Sequence, residues 1–460
     1  MWFAEAGTAT SASVLAAVPA CGVRVPRPRA MLRCGGFALG GAAGAGVCGA
    51  GAPGGMAVAQ RRAELAAYLD NAATTPMLPE AASAMAQVLG VDPGTWSDGL
   101  FANPSAVHRW GLAAAECVSA ARRALAERIG AGESEVVFTS GGTESNHLGV
   151  LGLCRAAVRR GRHVVTTAIE HRSLLCAWDA LAADGWEVAR LPVGGDGRLS
   201  PEDVAAAVRR DTVLVALTHV NNETGTVQPV RQIAAAVRAA APGAALHVDA
   251  VQALCKVDTP YAAWGVDTAA FSAHKVGGPK GTGALFVRRG TRLVPPVPGG
   301  EQEAGLRPGT ENVPGIAGFG AALRADAGGG RRLTDLKLRF IEGLRSTLPG
   351  ILVNGPDPAD AAVAAPHIVN LSFAEVASLP AEVLLHAFEA EGIACSAGSA
   401  CHARRPEPSH VLSALGLRGA RLRGSLRFSL GPATRAAEIE WAIARIPVAI
   451  ARLPRVAMPR

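Results

Sequence analysis

A lysine among small polar residues is the first group in this sequence whose type and position indicate chemistry. The chain has 41 arginines and only four lysines, and Lys275 follows a predicted strand in "FSAHKVGG", just after Ser272 and His274. An amine can become a neutral nucleophile and form a Schiff base with an aldehyde, whereas a guanidinium stays charged. Neighbouring hydroxyl and imidazole groups can hold a phosphate. The segment therefore predicts a pyridoxal 5'-phosphate (PLP) site, although an ordinary strand-to-loop turn would give the same pattern.

Two further segments fit such a site. Asp249 ends a predicted strand in "HVDAVQ", where a carboxylate can pair with a pyridinium nitrogen or simply cap a helix. In "TSGGTESN", Gly142 and Thr143 lie where a strand gives way to a helix, and the positive end of a helix attracts phosphate. A capping box, in which Ser140 or Thr143 pairs with a later glutamate, is the structural alternative.

The order of ten segments resembles the cysteine desulfurases, which are fold-type I, class V aminotransferase-like PLP enzymes. The resemblance covers about residues 66–450. The segments are "YLDNAATTP" (68–76), "NPSAVHRWG" (103–111), "FTSGGTESN" (138–146), "EHRS" (170–173), "HVNNETGTVQP" (219–229), "HVDAVQ" (247–252), "SAHKVGGPKGTGAL" (272–285), "GLRPGTENVPG" (305–315), "SAGSAC" (396–401) and "LRFSLG" (426–431).

The resemblance implies a role for each matching position. Lys275 would form the Schiff base with the cofactor, Asp249 would pair with the ring nitrogen and Gln252 with the ring hydroxyl. His171 would stack on the ring and move protons. The remaining cofactor and substrate contacts are expected from Gly142, Thr143, Ser272 and His274 at the phosphate, from Thr310 of the other subunit of a homodimer at the same phosphate, and from Asn222 and Arg427 at the carboxylate of L-cysteine.

Cys401 matches the family's nucleophilic cysteine in a mobile loop. Its thiolate would attack the sulfur of PLP-bound cysteine, release L-alanine and keep the sulfur as a persulfide for transfer to an acceptor. The arginines at 404 and 405 would lower the thiol pKa, meet an acidic acceptor, or be ordinary solvated residues. Residues 407–409 resemble the exit of the long-loop form associated with iron–sulfur cluster assembly and thiolation of transfer RNA. Cys395 is expected to be a packing residue rather than a second redox thiol.

Departures from the family pattern leave other readings open. Glu301 and Ala304 stand where relatives usually have glycine and arginine, which puts substrate affinity in doubt, and "HARRP" after Cys401 puts partner identity in doubt. Selenocysteine lyase is the closest alternative, followed by a cystathionine- or cysteine-sulfinate-type lyase that would not need Cys401. A PLP-free docking scaffold using residues 402–423 is an alternative of another class.

The pattern of apolar runs predicts an α/β fold with a mostly parallel seven-stranded sheet between helices. A large PLP-binding domain is expected over residues 66–325 and a small α+β domain carrying the cysteine loop over 326–460. The glycine-rich segment 325–332 is either a hinge between them or a loop in a helical link. The predicted strands are 135–140, 163–169, 212–220, 245–251, 268–274 and 283–289 in the large domain, and 367–373 and 424–431 in the small one.

Composition limits the other possibilities. The net charge is +7, but aromatic residues make up only 4% of the chain and do not alternate with a basic stripe, which argues against direct nucleic-acid binding. Nine cysteines without a CxxC pair predict neither a metal site nor a disulfide framework, and indicate a reducing compartment. The sequence contains no run of about 18 apolar residues, so no membrane span is predicted.

The first 55 residues are rich in alanine and glycine and hold four arginines and one acid. They are expected to lie outside the fold. One interpretation is that they are an untranslated or disordered extension, in which case Met56 is the functional start and the protein is expected in the cytoplasm. The other is that they are a transit peptide for a mitochondrion or plastid.

Overall fold

The computed structural model describes residues 67–90, 100–325, 329–373, 379–398 and 408–453. All of these belong to one compact unit. The expectations for residues 1–55, Met56, Cys401 and the arginines at 404 and 405 therefore concern residues that are not described.

A seven-stranded sheet forms the larger part of the fold. Its strands are β2 (Val136–Thr139), β3 (His163–Thr167), β4 (Glu187–Leu191), β5 (Thr212–Thr218), β6 (Ala245–Asp249), β7 (Thr268–Ser272) and β8 (Gly283–Val287), arranged in the order β2-β8-β7-β6-β5-β3-β4. Only β8 runs antiparallel to its neighbours. The predicted seven-stranded, mostly parallel sheet is confirmed. Six of its strands match the predicted segments.

Helices cover both faces of this sheet, which is why its central strands are buried on both sides. One face packs on a large apolar cluster that includes Leu125, Ile233 and Phe319, and the other on a cluster around Leu174 and Trp178. The helices of this part are α1 (Pro79–Leu89), α2 (Arg109–Ile129), α3 (Gly142–Ala157), α4 (Arg172–Ala183), α5 (Pro201–Ala207), α6 (Val230–Ala240), α7 (Tyr261–Trp264) and α8 (Val313–Arg324).

A second, smaller sheet has its own apolar core. Strands β9 (Leu352–Asn354), β10 (Ile368–Ser372) and β12 (Ser425–Ser429) are antiparallel, with β10 in the middle. The short strands β1 (Ala67–Tyr68) and β11 (Ile393–Ala394) pair in parallel beside it. Its helices are α9 (Gly330–Thr347), α10 (Ala381–Ala390), α11 (His410–Ala414), α12 (Gly419–Arg423) and α13 (Ala436–Ala451). The predicted strands at 367–373 and 424–431 are confirmed.

The core of this second part contains a cluster of phenylalanines. Phe340, Phe373, Phe388 and Phe428 are buried against one another, with ring centroids 5.0–6.4 Å apart. Ala67 at the start of the described chain is buried in the same cluster. Residues from near the two ends of the chain therefore build one core. The boundary between residues 325 and 326 stays a prediction.

Across the described ranges, no helix combines the length and apolarity that crossing a membrane requires. In the same part of the chain, no group of three or more His, Cys, Asp or Glu side chains is arranged to hold a metal ion.

Candidate active site

A cavity of about 260 Å³ lies at the carboxyl ends of the parallel strands, where open α/β sheets bind ligands. Strands β5, β6 and β7 end beside it with Thr218, Asp249 and Ser272. Ten of the predicted site residues line this cavity: Gly142, Thr143, His171, Asn222, Asp249, Gln252, Ser272, His274, Lys275 and Arg427. Segments separated by up to 285 positions in the sequence therefore meet at one place.

Lys275 is held at the end of a single 3₁₀ turn, Ala273–Lys275, that directly follows β7. Its Nζ donates to the carbonyl oxygens of Ala72 and Ala73, each at 2.7 Å. The Thr75 hydroxyl donates to the Lys275 carbonyl at 3.1 Å. The amine is thus placed by the backbone of the segment that follows β1, and it faces a cavity rather than bulk solvent.

Asp249 is buried at the end of β6 and is held by two donors. Its Oδ2 accepts from the Asn146 amide nitrogen at 2.7 Å and its Oδ1 from the Val251 N–H at 3.1 Å. Asn146 in turn contacts His247 Nε2 through its own oxygen at 3.0 Å. A buried carboxylate fixed in this way can pair with a cation inside the cavity.

His171 caps helix α4, and this contact determines which ring nitrogen carries the proton. Its Nδ1 accepts from the Ser173 N–H at 3.2 Å and lies 2.8 Å from the Ser173 hydroxyl. Because Nδ1 acts as the acceptor, the neutral ring carries its proton on Nε2. The ring lines the cavity, so a group that can exchange a proton stands beside Asp249 and Lys275.

The start of helix α3 offers its amide groups to the cavity. Gly141 precedes it with φ 152°, a conformation that favours glycine, and no side chain caps this end. A Cβ on Gly142 would lie 2.6 Å from Val251 Cγ2, so the backbone approaches too closely for a larger residue. A helix start without a capping side chain suits an anion. The capping-box alternative is met only in part, since Glu144 accepts from the Ser140 N–H.

His274 and Ser272 stand near this helix end. The pKa of His274 is lowered to about 4 by burial and by the charges of Lys275 and Lys280, so the imidazole is neutral near pH 7. Its Nδ1 lies 3.2 Å from the Thr74 hydroxyl. Ser272 is buried at the end of β7, whereas Thr143 is exposed.

Arg427 brings the second sheet to the cavity. It lies on β12 and is only 1% exposed. Its Nη1 donates to the Asn222 carbonyl at 2.9 Å and its Nη2 to Asp70 Oδ1 at 2.7 Å. Its Nε is buried with no hydrogen-bond partner among the described residues. The guanidinium is thus held at both terminal nitrogens, and each of these has a second N–H that the two contacts do not use.

Two predicted residues are not among those ten, for different reasons. Thr310 is exposed and does not line it, and Cys401 lies outside the described residues. Cys395 packs against the second core, where burial raises the pKa of its thiol, and this supports its interpretation as a packing residue. Ser409 caps α11 by accepting from the Leu412 N–H, in agreement with the predicted exit of the cysteine segment into a helix.

Three residues that support the site were not singled out from the sequence as functional. Asn146 holds Asp249, His367 contacts Gln252, and Glu170 is buried next to His171. Asn146 and Glu170 lie inside segments quoted above, but only a three-dimensional contact shows what each one does.

Comparisons with known proteins identify the family of the chain. The family model described as aminotransferase class-V matches residues 67–441. A cysteine desulfurase IscS from Dictyoglomus turgidum is 38% identical over 381 residues, covering 82% of this chain and 92% of the relative. A cysteine desulfurase IscS from Anaeromyxobacter dehalogenans is 41% identical over 383 residues, covering 82% of this chain and 90% of the relative.

Two solved structures have the same fold. A NifS-like protein superposes with a TM-score of 0.75 at 29% identity, covering 85% of this chain and all of the other. SspA in complex with cysteine superposes with a TM-score of 0.68 at 34% identity, covering 79% of this chain and 99% of the other. The chain therefore belongs to the class-V aminotransferase family, and within it to the cysteine desulfurases. Enzymes of this family use PLP.

Proposed function

We propose that this chain binds PLP at Lys275 and transfers sulfur from L-cysteine to Cys401, leaving L-alanine. The observation that carries the proposal is the single cavity in which an amine, a buried carboxylate, an imidazole and a buried guanidinium meet. The relatives named cysteine desulfurase and the solved structure with cysteine support the choice of substrate.

The groups around the cavity fit the parts of PLP. The Lys275 amine suits the aldehyde, and the Asp249 carboxylate suits a protonated ring nitrogen. The amides at Gly142, with Ser272 and neutral His274, suit the phosphate. If Lys275 had only a structural role, the α3 backbone would not need to approach Val251 so closely, and the start of that helix would not need to lack a capping side chain.

Bound PLP would supply an electron sink for bonds at the substrate α-carbon. The chain's own residues do the rest. Arg427, which lines the cavity, binds the substrate carboxylate through N–H groups of its terminal nitrogens, and its hydrogen bond to Asp70 holds the side chain in place. His171, fixed through Nδ1, exchanges a proton at Nε2, while Lys275 exchanges one at Nζ. The Ala72 and Ala73 carbonyls keep that amine within the cavity.

Sulfur transfer requires a thiolate, and we assign it to Cys401. Its Sγ attacks the substrate sulfur, so a sulfur–sulfur bond forms as the carbon–sulfur bond breaks. The electron pair of the broken bond stays with the substrate carbon, which takes up a proton to give alanine. The persulfide then passes to an acceptor, for which we propose iron–sulfur scaffold proteins or proteins that thiolate transfer RNA.

We also propose that the active form is a homodimer. Thr310 is exposed and lies in "GLRPGTENVPG" away from the chain's own cavity. In this proposal its hydroxyl reaches the phosphate of the partner subunit's cofactor.

The test measures alanine and sulfide released from L-cysteine, with and without a thiol reductant. Three proteins are compared: the parent, Cys401→Ser, and Cys176→Ser as a control for an exposed thiol elsewhere in the chain. Loss of alanine in Cys401→Ser alone supports the proposal. Equal alanine from all three would remove Cys401 from the reaction and favour selenocysteine as substrate. A parent that binds no PLP after reconstitution would overturn the enzymatic proposal altogether.

A further inference from the structure

A buried histidine outside the cavity holds one of the predicted cofactor ligands. His367 lies just before β10 and is 1% exposed. Its Nε2 is 3.3 Å from Oε1 of Gln252, which is 7% exposed and lines the cavity. The two residues are 115 positions apart in the sequence and join the small sheet to the large one.

The hydrogen bonds around Gln252 determine the direction of its amide. Gln252 Nε2 lies 2.9 Å from the Ala72 carbonyl oxygen, which can only accept. The amide nitrogen therefore faces Ala72 and the amide oxygen faces His367. Because that oxygen also only accepts, His367 must donate from Nε2.

The surroundings of His367 favour this one tautomer. Its Nδ1 has no hydrogen-bond partner within the described ranges. An unpaired lone pair at this buried atom costs less free energy than an unpaired N–H would, so the proton is favoured on Nε2. Burial and the charges of Lys256, Lys337 and Arg427 hold the pKa of His367 well below its usual value, so the ring stays neutral. Its carbonyl accepts from the Leu430 N–H at 2.8 Å, which fixes the backbone between β10 and β12.

We propose that His367 is a positioning residue that fixes the Gln252 amide so that its second N–H, and not its oxygen, is available to the cofactor. An N–H donor favours an anionic ring oxygen, whereas an amide oxygen would repel it. This inference rests on the proposed function, because it takes Gln252 as the partner of the ring oxygen. It adds a residue that acts only through Gln252.

Substitutions of similar length distinguish the loss of the N–H donor from the loss of packing. His367→Gln keeps an N–H donor at about the reach of Nε2, and His367→Met fills similar space without one. His163→Met is the control, because His163 is also buried, at 2% exposure, but contacts Thr212 and does not line the cavity. The measured quantity is the PLP dissociation constant from titration of the apoprotein.

The dissociation constant is expected to rise about tenfold in His367→Met, and to stay within about twofold of the parent in His367→Gln and His163→Met. Combining His367→Met with Gln252→Met is expected to weaken PLP binding no further than Gln252→Met alone, because both changes remove one contact. Equal binding by His367→Met and the parent, or additive losses in the double variant, would overturn the inference.

A second measurement needs no substitution. Nitrogen NMR of the full chain labelled at histidine is expected to show His367 as the neutral Nε2–H tautomer. An Nδ1–H tautomer or a charged ring would overturn the inference even if His367→Met failed to fold. The result would also be separate from the proposed function, since the tautomer can be read whether or not L-cysteine is turned over.

Discussion

Glu170 places a carboxyl group in the interior beside the residues of the active site. It is fully buried, its Oε1 accepts from the Thr167 hydroxyl at 2.5 Å, and its Oε2 has no partner in the described part of the chain. Burial is the main cause that raises the pKa of Glu170 to about 8, and the charge of Asp249 acts in the same direction. Hydrogen bonds from Thr167 and from the Thr218 backbone oppose this shift without cancelling it. Glu170 is therefore mostly protonated near pH 7.

A raised pKa makes stability depend on pH with a definite sign. The folded protein keeps the Glu170 proton up to about pH 8, whereas the unfolded chain releases it near the ordinary value of 4.5. This contribution to the free energy of unfolding is fully present below about pH 4.5 and is lost by up to ~1.4 kcal/mol per pH unit as the pH rises to about 8.

Glu170→Gln cannot titrate and should flatten this dependence. Urea unfolding at pH 5, 6.5 and 8, with pH values chosen to span the window, is expected to show the parent losing stability faster than Glu170→Gln. Glu116→Gln is the control, because the Glu116 side chain is 68% exposed. Parallel pH dependences in the parent and Glu170→Gln would show that Glu170 is ionised in the folded state.

Sequence reasoning found the residues whose own chemistry is distinctive. Lys275 was conspicuous as one of four lysines, and Asp249 because it ends an apolar strand. His367 and Glu170 were not assigned a function, because their importance comes from burial and from partners distant in the chain. A histidine beside an apolar run gives no sign that its imidazole reaches Gln252.

The turn after β8 is fixed to the large sheet by one buried ion pair. Glu303 accepts from both terminal nitrogens of Arg122 on α2, at 2.7 and 2.9 Å, and from the Phe138 N–H at 2.8 Å. The Glu303 side chain is only 2% exposed. Glu303 and Ala304 both have positive φ, at 50° and 57°, so this turn is strained. The sequence departure at Ala304 lies inside this turn.

Glu303→Ala is expected to destabilise the protein by ~3 kcal/mol, because it leaves the Arg122 charge and a buried N–H unpaired. Glu116→Ala removes one acidic partner of Arg123, the next residue on the same helix, but that pair is exposed and its loss should cost less than ~0.5 kcal/mol. Free energies of unfolding from urea titrations give both values. Equal losses in the two variants would mean that the Arg122–Glu303 contact does not hold the turn.

The elements that the sequence predicted well are those buried on both faces. "TVLVALT" is apolar between its two terminal threonines, is buried throughout, and forms β5 close to its predicted bounds. The edge strand β4, "EVARL", was not among the predicted segments because its exposed positions carry charged residues. Strands β1 and β11 are two residues long and form only by pairing with each other across the chain, so no local period could reveal them.

At the scale of the whole molecule, the cavity is built by both sheets. The large sheet supplies Lys275 and Asp249, and the small sheet supplies Arg427 from a strand more than 150 positions later. In the proposed function, binding of substrate through Arg427 is thereby coupled to how the second core packs. The family motifs could place these residues in one site, but the links through Asp70 and Asn222 appear only in three dimensions.

The proposed homodimer can be tested by mixing inactive subunits. Lys275→Ala removes the cofactor amine, and Thr310→Ala removes the hydroxyl proposed to serve the neighbouring site. If Thr310 acts across the dimer, a mixed dimer has one site with both groups, and co-expression should restore activity above that of either variant alone. Absence of any recovery in a mixed dimer isolated with two different tags would place Thr310 in its own subunit's site or outside catalysis.

The central claim is that cofactor chemistry at Lys275 delivers sulfur to Cys401, and the mass of the peptide containing Cys401 tests it most directly. Holoenzyme treated with L-cysteine, alkylated and digested without reductant is expected to carry one additional sulfur atom on Cys401. Lys275→Ala treated in the same way should carry none. Alanine formation by the parent without added sulfur on Cys401 would contradict the account.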